Sequence, residues 1–173
     1  ASFNGELDGN GHTLSNFSVV AKSEWQNIGL FGSNVGIIKN LTIENAKCMN
    51  SGIISATNAE INAGILVGEN LGKIENIILK NSSVRITGEL KSSAALNLGV
   101  ACGTTFGSID SVGVSKCNVY AQSWKGEGVI NVGGVAGAVK VSNMTRCYVN
   151  NSKINAYNQK SDSATYALGG LAG

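Results

Sequence analysis

The chain has 173 residues, a formal charge of +2 and 14% charged residues. Its cations are scattered along the sequence without a basic stripe or interleaved aromatics, which excludes a nucleic-acid backbone as its natural partner. It carries 23 Gly and no Pro, and its apolar residues alternate in short runs closed by Gly or Asn. That pattern excludes long helices and favours a β-protein.

Taken in chain order, the first stretch, from Ala1 to about residue 28, reads as one short coil. Leu14, Asn16, Phe17 and Val19 match Ile38, Asn40, Leu41 and Ile43 at an offset of 24 positions. From residue 29 a longer unit recurs, with repeats over 29–63, 64–98, 99–132 and 133–167 and a partial one over 168–173. Their closing glycines, Gly32, Gly68, Gly103, Gly137 and Gly173, stand 36, 35, 34 and 36 positions apart. The difference from 24 predicts insertions after the Ile43 position, near Ser51 to Glu60, Thr87 to Ala94, Gln122 to Gly128 and Asn158 to Thr165, as loops or peripheral strands. The whole chain reads as one repeat domain of about four to five coils, ending inside a repeat, which predicts a fragment of a longer solenoid.

No repeat can close a core alone, so each must bury its apolar face against its neighbours, with equivalent residues about 4.8 Å apart in parallel strands. Three apolar columns follow: Ile43, Leu79, Val114 and Val149; Leu41, Ile77, Val112 and Cys147; Cys48, Val84, Val119 and Ile154. The two-residue step from Leu41 to Ile43 keeps both on one face, and the break between Asn40 and Leu41 predicts a bend. Amide ladders at the bends are predicted from Asn16, Asn40 and Asn76, and from Asn45 and Asn81, fading where Ser111, Lys116 and Arg146 stand instead.

The runs Gly29-Leu30-Phe31-Gly32, Gly64-Ile65-Leu66-Val67-Gly68 and Gly169-Gly170-Leu171-Ala172-Gly173, with the opening Phe3 to Leu14, resemble the GLUG repeat over nearly the whole chain. The third and fourth repeats depart from that pattern in their glycines. The resemblance implies a right-handed parallel β-helix of large secreted or surface-attached proteins, including bacterial adhesins and the non-catalytic regions of immunoglobulin A peptidases. It implies no catalytic residues and no cofactor.

Polysaccharide lyases and hydrolases also use β-helices, and they need clustered carboxylates or a base beside an acid patch. Asp8, Asp110 and Asp162 are the only aspartates and are expected at different points of the coil. His12 is the sole histidine, and Asp8-Gly9-Asn10-Gly11 reads as a tight turn instead of a calcium loop. Catalytic and metal residues are therefore expected to be absent. Cys48, Cys102 and Cys147 fall in core columns as free thiols, while Cys117 is expected outside them. Sequons occur at Asn16, Asn40, Asn81, Asn143 and Asn150; Asn143 and Asn150 are the better N-glycosylation candidates, because the others are needed in ladders. Trp25 and Trp124 are candidates for stacking on sugar rings.

The expected role is a non-catalytic structural or adhesive module, extracellular or on the cell surface. The alternatives are a subunit of an extracellular glycosylated filament, or a β-helix that binds or degrades polysaccharide. Expected partners are further coils of a parent chain or identical subunits at the C-terminal end, with carbohydrate or a host or cell-surface molecule as ligand. No nucleic acid is expected as a partner, and no membrane span, since no apolar run reaches the roughly 18 residues required.

Overall fold

The computed structural model describes residues 2–22, 25–91, 93–126, 128–158 and 165–173. Their regular structure is entirely β, and every pairing is parallel. The strands form four sheets wound into a β-solenoid of about four turns. The first sheet holds Ser2–Phe3, Phe31–Asn34, Val67–Asn70, Cys102–Thr105 and Ala136–Val139. The second is built on Ile37–Glu44, Lys73–Lys80 and Ser108–Ser115, flanked by Glu6–Asp8 and Thr13–Ser15 on one side and Met144–Thr145 and Tyr148–Asn150 on the other. Ser18–Ala21, Lys47–Asn50, Ile54–Thr57, Ser83–Lys91, Asn118–Gly126 and Lys153–Asn158 make the third. The fourth contains Asn27–Ile28, Glu60–Ala63, Ala95–Leu98, Val129–Gly133 and Thr165–Gly169.

The three apolar columns lie in register. Ile77 stacks between Leu41 and Val112, Leu79 between Ile43 and Val114, and Val84 between Cys48 and Val119. All three central residues are fully buried. Like residues meet because a parallel in-register stack sets each side chain over its equivalent one turn away.

The bends have a backbone cause that composition does not display. Asn40, Asn76, Ser111 and Arg146 form one corner and Asn16, Asn45, Asn81, Lys116 and Asn151 the next, and all nine have φ between 48° and 60°. A single left-handed residue turns the strand and flips side-chain parity, which lets both Ile74 and Ile77 point inward across Asn76. Asn tolerates this region better than other L-residues with a Cβ.

Where the first sheet passes into the second, Gly36, Gly72 and Gly107 stack so closely that a Cβ on Gly72 would stand 2.1 Å from the carbonyl oxygen of Gly36. Steric exclusion, not flexibility, requires glycine there.

Two expectations are corrected. The first coil is not a 24-residue unit, because Leu7 pairs with Ile38, Leu14 with Ile43 and Val19 with Cys48. Both corners carry the same apolar-x-Asn-apolar signature, and Leu14-Ser15-Asn16-Phe17 belongs to the second, over Ile43-Glu44-Asn45-Ala46. Of the stretches read as insertions, those near Ser51 to Glu60 and Thr87 to Ala94 contribute strands to the wall, and the one near Asn158 to Thr165 lies largely outside the described residues. Ile54–Thr57 pairs with Gly88 to Lys91, and Ile54, Ala56, Ile86 and Leu90 are buried.

Candidate functional site

The polar side chains divide into those that join coils and those left on the surface. At the first corner, Asn76 Nδ2 donates to Asn40 Oδ1 at 2.8 Å, and Asn40 Nδ2 donates to Asp8 Oδ1 at 3.0 Å. At the second, Asn45 Nδ2 donates to Asn16 Oδ1 at 3.3 Å, while Asn81 Nδ2 turns to Glu44 Oε1 at 3.0 Å. Asn16 thus bonds within the Asn45 column and not with Asn40, as the register of the first coil dictates. Beyond Asn76 the first file becomes Ser111 and Arg146, whose Nε donates to Ser111 Oγ at 3.1 Å.

The longest ladder was not anticipated. Asn62 donates to Asn27 at 2.9 Å, Asn97 to Asn62 at 2.8 Å and Asn131 to Asn97 at 2.7 Å, each through Nδ2 to Oδ1. It runs up the fourth sheet, and the Thr104 hydroxyl of the first sheet donates to Asn62 Oδ1 at 2.6 Å. A shorter file links Asn34 Nδ2 to Asn70 Oδ1 at 2.8 Å and Asn70 Nδ2 to Thr105 Oγ1 at 3.0 Å. Asn62, Asn97, Asn34, Asn70, Thr104 and Thr105 are all buried. The signal was present in the sequence as separations of 35, 35 and 34 residues between successive asparagines. It had no bend to mark it.

Cys48 and Cys102 are buried, Cys147 is half-buried, and all four cysteines are free thiols. Burial pushes the thiols of Cys48 and Cys102 up to about 12. Cys117 corrects the expectation, since it is fully buried in the core. It follows left-handed Lys116, and its Sγ donates to the carbonyl of Ser115 at 3.2 Å, as Ser82 Oγ does to Lys80 at 2.7 Å one coil earlier. The thiol stands in a serine column.

Asn143 and Asn150 are exposed, with side chains free of hydrogen bonds among the described residues. Asn16, Asn40 and Asn81 use Nδ2 as donors to Ser15, Asp8 and Glu44. Trp25, 42% exposed, borders a depression of about 590 Å³ shared with Phe3, Leu30 and Phe31. The Trp124 side chain lies outside the described residues.

Asp8 and Asp110 fall in one column, not at different points of the coil. Asp8 pairs with Lys39, Lys39 with Glu75 and Glu75 with Asp110. Asp162 is outside the described residues. The Thr145 hydroxyl donates to Asp110 at 2.6 Å, and with the Arg146 guanidinium it holds the carboxyl below its ordinary value. The amide of Asn40, the backbone N–H of Asn10 and the ammonium of Lys39 lower Asp8 likewise. Lys39 is held between Glu6 at 2.7 Å and Asp8 at 3.6 Å. Such groups are stabilised as carboxylates and are poor general acids at neutral pH. The Asp8 turn closes with Asn10 N–H donating to Asp8 Oδ1 at 2.9 Å, and left-handed φ at Asn10 and Gly11. Among the described residues, no three His, Cys, Asp or Glu side chains gather to hold a metal. No helix among them is long and apolar enough to cross a membrane.

No family model matches the chain. No solved structure matches it. Among curated proteins it is similar to halomucin of Haloquadratum walsbyi, with 35% identity over 78 residues, or 44% of this chain. The chain spans about 1% of the length of that protein. A β-solenoid with this partial likeness is compatible with a structural extracellular module.

Proposed function

We propose that the chain is a non-catalytic structural or adhesive module of an extracellular or cell-surface protein, built from GLUG-type repeats. One observation carries this reading: the buried side chains of Asn34, Asn62, Asn70, Asn97, Thr104 and Thr105 are engaged in inter-coil bonding, with the Asn27-Asn62-Asn97-Asn131 ladder as the longest example. A solenoid that uses its polar interior for cohesion has rigidity and length as its product. The surface carboxylates of Asp8 and Asp110 are held ionised by hydrogen bonds and cations. The partial likeness to halomucin supports the extracellular placement.

Surface protease treatment of intact source cells tests the location, with cleavage of the native protein as the expected result. Protection until the cells are lysed would place it inside and defeat the reading. Incubation with a panel of acidic and neutral polysaccharides tests the absence of catalysis. Chain shortening that disappears in the Asp110→Asn variant would make the protein an enzyme.

A further inference from the structure

The stack gathers cations that are scattered along the sequence. Lys39, Lys73, Lys80, Lys91, Lys140 and Arg146 each form an ion pair with a carboxylate. Among the described side chains the remaining cations are Lys22, Lys47, Arg85, Lys116 and Lys153, and none of them forms one. All five belong to the third sheet or its margins. Lys47, Arg85 and Lys153 stand on its strands, Lys116 at the corner leading in, and Lys22 directly after Ser18–Ala21.

Register sets out the face in columns. Lys47, Ser83, Asn118 and Lys153 form one; Met49, Arg85, Tyr120 and Asn155 the next; Thr87, Gln122 and Tyr157 a third. The members of a column are about 4.8 Å apart, so Lys47 and Lys153 are separated by about 14 Å along the solenoid axis. Two depressions flank the middle column. One, of about 400 Å³, is bordered by Lys47, Lys116, Asn45, Asn81, Ser83 and Asn118. The other, of about 480 Å³, is bordered by Arg85, Thr87, Gln122, Met49, Asn50 and Ile53.

The second depression has a built wall. Arg85 pairs with Met49 and Gly88 with Ile54, so the earlier coil holds two more residues over this interval, and they stand out as a loop. The Asn50 side chain pins that loop. Its Nδ2 donates to the Thr87 carbonyl at 2.6 Å, and its Oδ1 accepts from the Thr87 N–H at 3.0 Å. Arg85 lies 5.2 Å from the centroid of the Tyr120 ring, which orients the guanidinium along the face.

Among the described residues, the carboxylates at the edges of this face are already engaged. Glu89, at its far end, pairs with Lys91, and Glu44, at the entry corner, pairs with Lys80 at 3.1 Å.

We infer that the outer face of the third sheet binds an acidic polysaccharide laid along the solenoid axis. Unpaired cations supply the attraction for its carboxylate or sulfate groups, with Arg85 able to take one in bidentate fashion. The amides and hydroxyls of Asn118, Ser83, Thr87 and Asn155 match sugar hydroxyls, and exposed Tyr157 offers a ring to stack on a sugar face. A protein partner would be expected to need a larger apolar centre than these columns present. The inference goes beyond the structural role: a solenoid that binds nothing here remains a structural module, so the two readings fail separately.

The test is affinity electrophoresis of the 173-residue chain through gels containing polygalacturonate, dextran sulfate, neutral dextran or single-stranded DNA. Retardation by polygalacturonate or dextran sulfate, falling with added salt, is the expected result, and the stronger of the two identifies carboxylate or sulfate as the preferred group. Joint replacement of Lys47, Arg85, Lys116 and Lys153 by Gln should weaken retention at least about tenfold. Joint replacement of Lys73 and Lys140 by Gln, which removes paired cations away from this face, should change it less than about twofold. Circular dichroism checks that both variants keep their β-structure. If the first loses it, the single variants Arg85→Gln and Lys153→Gln replace it. Absence of retardation, equal retardation by neutral dextran, tighter binding to DNA than to either polysaccharide, or equal loss in both variants would overturn the proposal.

Discussion

At the scale of single residues, two chemical environments make opposite demands. Left-handed corners accept Asn readily but strain other side chains by about 1–2 kcal/mol. Ser111, with φ at 55°, is such a site. Ser111→Gly should therefore raise stability by up to about 0.5 kcal/mol, after glycine's own entropic cost and the loss of the exposed bond from Arg146. Asn76→Ala should lower it by about 1–2 kcal/mol, losing the amide bond to Asn40 and placing Ala in the strained region. Urea denaturation of the two variants checks both signs. The buried thiols link stability to alkaline pH. Burial raises the thiols of Cys48 and Cys102 to about 12 in the folded chain, against an ordinary value of 9.0. The unfolded state therefore releases its protons first. Their contribution is fully present below about pH 9 and is lost as the pH rises toward 12. Denaturation midpoints across that range should fall with pH, and the fall should shrink in the Cys48→Ala and Cys102→Ala double variant.

At the scale of strands and corners, close backbone approach decides more than propensity. A Cβ on Gly107 would meet the Gly72 carbonyl oxygen at 2.0 Å, whereas one on Gly52 meets nothing within 4 Å. Gly107→Ala should cost at least about 2 kcal/mol and Gly52→Ala about 0.5 kcal/mol or less, as thermal unfolding of each will show. The sequence was most legible where chemistry recurs at one spacing. The columns through Ile77, Leu79 and Val84, and the bend at Asn40, could be read directly because each rung repeats an apolar or amide side chain. The first coil was misread because its corner shares its local signature with the other corner, so only pairing distinguishes them. Cys117 was misplaced for a related reason. After left-handed Lys116 the parity of the strand resets, and a two-residue count from the previous apolar position points the wrong way. The basic face could not be read at all. Lys47, Arg85, Lys116 and Lys153 are neighbours only because successive coils superimpose, and nothing in their local sequence marks the missing carboxylates.

At the scale of the whole molecule, each coil is stabilised by the coils on either side, so coverage changes along the stack. Val132 and Val135 are fully buried, yet Leu168 and Leu171, which follow them one turn later, are 49% and 39% exposed. The 173-residue chain in isolation should therefore self-associate through this face, and sedimentation should show a mass that rises with concentration. Leu168→Lys should suppress the rise; a monomer at all concentrations in the unsubstituted chain would contradict the expectation. The stacked geometry also makes the molecule mechanically anisotropic. Rungs between coils run along the solenoid axis, while the covalent chain runs around it, so tension along the axis is borne by hydrogen bonds and packing alone. Pulled from its two ends, such a spring should not stretch evenly. It should peel from an end, one turn at a time, each release freeing about 35 residues and lengthening the tether by roughly 120 Å. An evenly spaced sawtooth in single-molecule extension would record the solenoid's turns as a ruler.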